Sequence, residues 1–182
     1  MVSVYLSATF LKDYEPTIFD VFEGNVRTGD RTVAFSLCDV AGGSTYEKLD
    51  LKKLRGVCYL DTDVYIICFS VVDRASFEHV KEEWYPEITA KGPVSVLLVG
   101  TKIDLRDAPE GKEEEREREL KKAGIVPVTT EEGTNLANEI NALGYMECSV
   151  LESVNLKEIF DTAIKAALAG DSNKKSDNCN VM

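Results

Sequence analysis

A parallel α/β sheet with helices on both faces is the fold this sequence predicts, on three grounds. VYIICFS (Val64 to Ser70) and VSVLLVG (Val94 to Gly100) are apolar without interruption, as strands covered on both sides must be. Segments with a helical stripe of apolar residues follow them. Alternation of this kind buries the strands between two helical layers. No internal repeat or second domain is evident in the 182 residues, a length that suits one domain with a real core.

The elements can be justified in chain order. Phe22 to Thr28 and Thr32 to Asp39 flank Gly29-Asp30, and Val33, Phe35 and Leu37 alternate as half-buried strand residues do, so the pair reads as an antiparallel hairpin. Tyr46 to Leu54 is a charged helical segment. After the first buried strand, Asp73 is placed to cap a helix whose Phe77, Val80, Trp84 and Ile88 share one stripe, and Gly92-Pro93 ends it. Lys112 to Lys122, with EEEREREL at its centre, has too few apolar residues to pack on both sides and is expected to project into solvent. Thr129 and Glu132 have capping-box spacing before another helix; a short strand, YMECS, follows. Leu156, Ile159, Phe160, Ala163 and Ile164 form the stripe of a last helix, beyond which the tail DSNKKSDNCNVM is polar and expected to be mobile.

Composition narrows the functional classes. With 44% hydrophobic and 29% charged residues the chain is an ordinary globular protein, and a net charge of −11 argues against a nucleic-acid surface, which needs a basic face to release counterions. Phosphate ligands stay open, because backbone amides bind them without net basic charge. Cys38, Cys58, Cys68, Cys148 and Cys179 have neither metal-ligand spacing nor disulfide-scaffold density; four lie in or beside apolar runs and are expected to be reduced and buried. No apolar stretch approaches a membrane span, and the N-terminus lacks a signal peptide's pattern, so any membrane attachment is expected to be covalent.

In a parallel sheet ligands bind beyond the carboxyl ends of the strands. Four short stretches lie there or just upstream: Tyr14-Glu15-Pro16-Thr17, Asp39-Val40-Ala41-Gly42, Thr101-Lys102-Ile103-Asp104 and Cys148-Ser149-Val150. Taken singly, Asp39 is a cap or loop residue, Thr17 a turn hydroxyl, and Lys102 with Asp104 a solvated pair. Their joint order, with three of the four at strand ends, makes coincidence a poor explanation.

From about Phe10 to Met182 the chain resembles a Rho-family small GTPase of the Ras superfamily, in those loops and in FEGNV, TDVYIICFSVVDRASFEHVKEEWYPEI, LLVGTKIDLRD and CNVM. The charged helix of residues 112–122 is similar to the insert that separates Rho proteins from their Ras relatives. The resemblance implies a guanine-nucleotide switch that uses GTP or GDP with magnesium. On that pattern Asp104 accepts from the guanine imino and amino groups, Lys102 covers one base face, Phe10 stacks near the base, and Thr101, Ser149 and the Val150 amide complete the pocket. Alanine is usual where this chain has Val150. Thr17 and Asp39 are implied as magnesium ligands, Asp39 through water, and the Gly42 amide as a donor to the terminal phosphate. Effectors, exchange factors, activating proteins and dissociation inhibitors are the implied partners.

Three departures qualify the resemblance. Gly43 stands where the family has the glutamine that orients the attacking water, so no catalytic residue is assigned and hydrolysis is expected to be impaired. Asp50 to Leu54 is an insertion on the surface where exchange factors and inhibitors dock, long enough to reshape it at little thermodynamic cost. The sequence GxxxxGK followed by Ser or Thr occurs nowhere, and the resemblance places Met1 just past that loop, with VSVYLSATF as the tail of the first helix. The fold expected is therefore a P-loop GTPase-like sheet with the first strand and phosphate loop missing. Losing about four charge-assisted hydrogen bonds at roughly 1.5–3 kcal/mol each would cost about 6–12 kcal/mol, or about four to nine decades of affinity. The gap so left in the sheet is expected to close by direct pairing of the strands ending at Asp39 and starting at Val64, or by VSVYL entering it.

The expected organisation is a GTPase-like domain over residues 1–170 and a flexible tail over 171–182. Cys179-Asn180-Val181-Met182 is a CaaX box whose terminal methionine favours farnesyl transfer to Cys179. Lys174 and Lys175 add only a weak basic patch, so a lipid-anchored protein on the cytoplasmic face of membranes with a cytosolic pool is expected. The alternative reading is a nucleotide-free interaction module that competes for Rho-family partners.

Overall fold

The structure, a computed structural model, describes residues 1–7, 19–28, 31–40, 55–56, 59, 61–90, 92–170 and 178–181. It opens with helix α1 (Val2–Ser7), followed by β1 (Phe19–Thr28) and β2 (Arg31–Val40). Next is β3 (Val64–Ser70), and after a short turn α2 (Arg74–His79), a π-turn over Val80–Trp84 and α3 (Tyr85–Thr89) follow without a break. Next come β4 (Ser95–Thr101), α4 (Ile103–Arg106), α5 (Glu113–Lys122), α6 (Thr130–Glu139), β5 (Gly144–Cys148), α7 (Leu156–Gly170) and β6 (Asn178–Val181).

The sheet has the order β1-β2-β6-β3-β4-β5. β1 and β2 form the expected antiparallel hairpin, from Phe19 opposite Val40 to Thr28 opposite Arg31. β3, β4 and β5 are mutually parallel, with Ser70 beside Thr101 and Thr101 beside Cys148 at their carboxyl ends. Alternate side chains feed two cores. On one face Val64, Leu97, Val99 and Cys148 meet Ile159, Phe160 and Ala163 of α7, and α1 packs there too, with Tyr5 stacked on Phe160 at 4.1 Å between ring centroids. On the other face Tyr65, Ile67, Phe69, Val96 and Leu98 meet Val80, Ile88, Leu136 and Ile140. Helices on both faces and uninterrupted apolar strands are thus the same fact seen twice.

Local rules explain the helix ends. Asp73 caps α2 by accepting from the Ser76 amide, and Thr129 with Glu132 makes a complete capping box on α6. The π-turn has a cause in Pro86, which has no amide to donate and whose ring crowds the preceding turn; the Tyr85 amide instead reaches back to the Val80 carbonyl. α5 buries none of its residues and carries ion pairs between Arg118 and Glu114 and between Lys121 and Glu117, as a solvated helix should.

Several expectations need correction. Neither closure of the sheet foreseen from the sequence occurs: β2 and β3 do not pair with each other, and Val2–Ser7 is helical. The strand between them is Asn178–Val181, from the segment expected to be mobile. Of the cysteines, Cys148 is buried but Cys38 is only half-buried. Cys68 is exposed by its surface area, although desolvation by surrounding protein pushes its thiol up to about 12, and its Sγ lies 3.8 Å from Sδ of Met1. Cys58, the helical reading of Tyr46 to Leu54 and the insertion at Asp50 to Leu54 lie outside the described residues.

Candidate functional site

The parallel register decides what meets at the carboxyl edge of the sheet. Because Thr101 lies beside Cys148, the residues that follow them leave neighbouring strands at the same level. Lys102 takes a left-handed backbone conformation, φ 63° and ψ 37°, and caps the short helix α4. That conformation is costly for a residue with a Cβ, and such strain collects at functional turns. It folds the chain back so that Asp104 faces the loop after β5. There the Ser149 hydroxyl donates to Oδ1 of Asp104 at 2.6 Å, and the Glu152 amide donates to the same hydroxyl at 3.0 Å. Ser149 is fully buried, Asp104 and Val150 are half-buried and Lys102 is exposed. The arrangement leaves a carboxylate pre-oriented by a buried hydroxyl.

Thr101 also has a structural part. Its hydroxyl donates to the Phe69 carbonyl at 2.9 Å and ties β3 to β4.

A second layer, not read from the sequence, braces this edge. Arg106 donates through both terminal nitrogens to the Glu147 carboxylate, at 2.7 and 2.8 Å, and also reaches the Val128 carbonyl and Asp107. Tyr145 donates to Glu147 at 2.7 Å, and Asn155 fastens the Glu147 carbonyl. Burial alone would raise the Glu147 carboxyl, but hydrogen bonds from Arg106 and Tyr145 and the guanidinium charge together hold it below the usual glutamate range. Two glycines make room for this brace: a Cβ on Gly100 would lie 2.3 Å from the Tyr145 hydroxyl, and one on Gly133 would lie 2.2 Å from its ring. A glycine inside an otherwise good helix, as in TEEGTN, was the sequence signal for it.

At β2 the structure places Asp39 directly opposite Asp20. Burial raises the Asp39 carboxyl above its ordinary value, the N-terminal ammonium opposes that shift and Asp20 adds to it. A divalent cation bound there would relieve that penalty, and Asp39 is the residue that would hold it. Phe10, Thr17, Gly42 and Gly43 lie outside the described residues, so the structure brings together the base-side set and, on a different strand, Asp39.

A further clamp fixes the chain ahead of β3. Arg55 is buried, grips both Glu87 oxygens at 2.7 and 3.0 Å and lies 5.2 Å from the Trp84 ring centroid, while the Tyr59 hydroxyl donates to Glu87 at 2.7 Å.

A model of the Ras family matches residues 1–169. The chain belongs to the Ras family. The mixed α/β architecture with its parallel strands is that of a small GTPase, and domains of this family generally bind GTP or GDP with magnesium and serve in signalling through regulators and effectors.

The two carboxylates respond oppositely to neutralisation. Glu147 has a lowered pKa in the folded state, so its contribution is present above the unfolded glutamate value and is lost as pH falls through the folded one. Asp39 has a raised pKa, so ionising it works against the fold as pH rises through that value. At pH 7, Glu147→Gln should therefore lower stability, by about 3 kcal/mol for a partly buried ion pair that loses one partner, whereas Asp39→Asn should raise it. Urea unfolding at pH 7 without divalent cations checks both signs.

Proposed function

We propose that this chain is a Rho-like signalling member of the Ras family that recognises guanine through Asp104, Lys102, Ser149 and Val150 and acts by binding effectors rather than by rapid turnover. The observation that carries the reading is the 2.6 Å hydrogen bond from buried Ser149 to Asp104, which aims a carboxylate at the open carboxyl edge of the sheet. A carboxylate there accepts from the guanine imino and amino groups, which adenine cannot reproduce. The Rho assignment rests on the resemblance, which includes the likeness of the charged segment 112–122, here the solvated helix α5, to the insert of Rho proteins. Exchange factors, activating proteins and dissociation inhibitors of the Rho type are the proposed partners. The insertion ahead of the Arg55 clamp is proposed to tune their docking.

The 182 residues contain no GxxxxGK sequence, so this polypeptide is expected to hold phosphates weakly. Calorimetry with magnesium should give at best micromolar affinity for GTP or GDP, a clear preference over ATP, and no binding after Asp104→Ala. Nanomolar binding would mean that another segment cradles the phosphates. Equal affinity for ATP would remove the base-reading assignment.

With no side chain at Gly43 to orient water, bound GTP should be hydrolysed slowly. Gly43→Gln should speed single-turnover hydrolysis; an unchanged rate would place control elsewhere.

Prenylation of Cys179 is proposed to put the protein on the cytoplasmic face of membranes. No helix among the described residues is long and apolar enough to cross one. The net charge of −11 is repelled by anionic lipid, and Lys174 with Lys175 offers only about 2 kcal/mol. A prenyl chain contributes about 0.8 kcal/mol per buried methylene-sized unit, which exceeds that several times. Cys179→Ser should shift the protein to the soluble fraction, and its persistence on membranes would sink the proposal.

A further inference from the structure

β1 (Phe19–Thr28) stands last in the sheet, and among the described residues only β2 pairs with it. A row of free amides and carbonyls along such an edge can recruit another strand, so folded proteins commonly blunt their edges by short length, lysine, proline or a bulge. β1 has none of these. Its ten residues, FDVFEGNVRT, hold an unbroken one-to-one register against β2 and include neither lysine nor proline. By contrast β5, at the opposite edge, is five residues long. Phe19 and Val21 are also exposed, at 38% and 44%, so the edge is apolar at one end.

The two faces of β1 decide what that edge can accept. Val21, Glu23, Asn25 and Arg27 are exposed, while Phe22, Gly24 and Val26 alternate with them and are half-buried, Phe22 and Val26 against the core beneath α7. Two copies of β1 paired antiparallel about a two-fold axis must oppose residues of the same face, so the numbers of any opposed pair have an even sum. The charged residues of β1 are Asp20, Glu23 and Arg27. Asp20 opposite Arg27 has an odd sum and is excluded. Of the even registers, only the one centred on Asn25 opposes unlike charges, Glu23 to Arg27, and the axis does so twice. The same register sets Val26 opposite Gly24 of the other copy, where no side chain competes for the inner face.

We infer that the outer edge of β1 is a homodimer interface, in which two copies pair antiparallel from Phe22 to Thr28 with Glu23 of each facing Arg27 of the other. Backbone hydrogen bonds across the edge supply the affinity, and the two charge pairs set the register. Within its own hairpin Glu23 lies opposite Ser36 and Arg27 opposite Thr32, so neither charge is matched there by the residue it faces. A seam of this length spans about 24 Å of strand. It is small beside a standard protein interface of about 1,600 Å², so dissociation in the micromolar range is expected. The seam does not involve the Asp104–Ser149 edge and stands or falls apart from the guanine reading.

Sedimentation equilibrium on the full 182-residue chain, purified without a lipid, tests the interface. A monomer–dimer equilibrium is expected, and it should weaken as salt rises because the charge pairs lie in solvent. Glu23→Arg and Arg27→Glu each oppose like charges at both positions, and each should weaken self-association at least about fivefold. Both positions are exposed, so circular dichroism should show the fold unchanged. Mixing the two single variants should restore association, since a chain with two positive residues there then faces a chain with two negative ones. The double variant, Glu23→Arg with Arg27→Glu, should pair with itself as the unaltered chain does. A chain that stays monomeric up to about 1 mM would overturn the inference. Dimerisation indifferent to the single variants would overturn it too, because the contact would then lie elsewhere. Weakening that mixing does not reverse would rule out the Asn25-centred register and the inference with it.

Discussion

A strand covered on both faces has no access to water, so its amides and carbonyls must be satisfied along both edges by other strands. Most of this protein's organisation follows from that demand. β3 and β4 lie between helical layers and are flanked on each side by a paired strand. The same demand draws Asn178–Val181 from the end of the chain into the interior of the sheet, although nothing in those residues favours a strand strongly. Sheet continuity therefore couples the two ends of the protein's proposed life: the nucleotide-reading edge built on β4 and β5, and the tail proposed to receive a lipid.

Register is the second consequence. With Ser70, Thr101 and Cys148 held at one level, the turn at Lys102 and the loop at Ser149 are delivered to the same place without any direct sequence link. Asp104 is then positioned by a hydroxyl 45 residues away along the chain. The Arg106–Glu147 brace makes that positioning rigid, because the carboxylate accepts from Arg106, Tyr145 and Thr130 at once. Asp39 is built the other way: it is half-buried beside Asp20 with too little positive charge around it. One carboxylate serves the fold and the other is held at its expense.

The elements were legible where a pattern is local. The two buried strands, the hairpin, the caps at Asp73 and Thr129 and the stripe of α7 each depend on residues near one another in sequence, and the structure shows them within a few residues of the expected ends. The π-turn was not foreseen because the stripe from Phe77 to Ile88 continues through it; only the missing amide of Pro86 marks it. The contact between Asp104 and Ser149 was legible in that both follow strand ends. Its brace was not, since Glu147 and Arg106 read as ordinary charged residues until register brings them together.

By itself, the sequence determined the parallel α/β class, the solvated helix α5, and the set Lys102, Asp104, Ser149 and Val150 as neighbours in a candidate site. These follow from hydrophobic periodicity and from the rule that strand ends face ligands, both of which act over short stretches. Only the tertiary structure decided which strand fills the centre of the sheet, that Thr101 ties strands together, and that Gly100 and Gly133 are small so that Tyr145 can reach Glu147. The physical reason is the same in each case. Backbone satisfaction and close packing are settled by whichever groups the whole fold brings within reach, and for Asn178–Val181 that meant strands more than a hundred residues upstream.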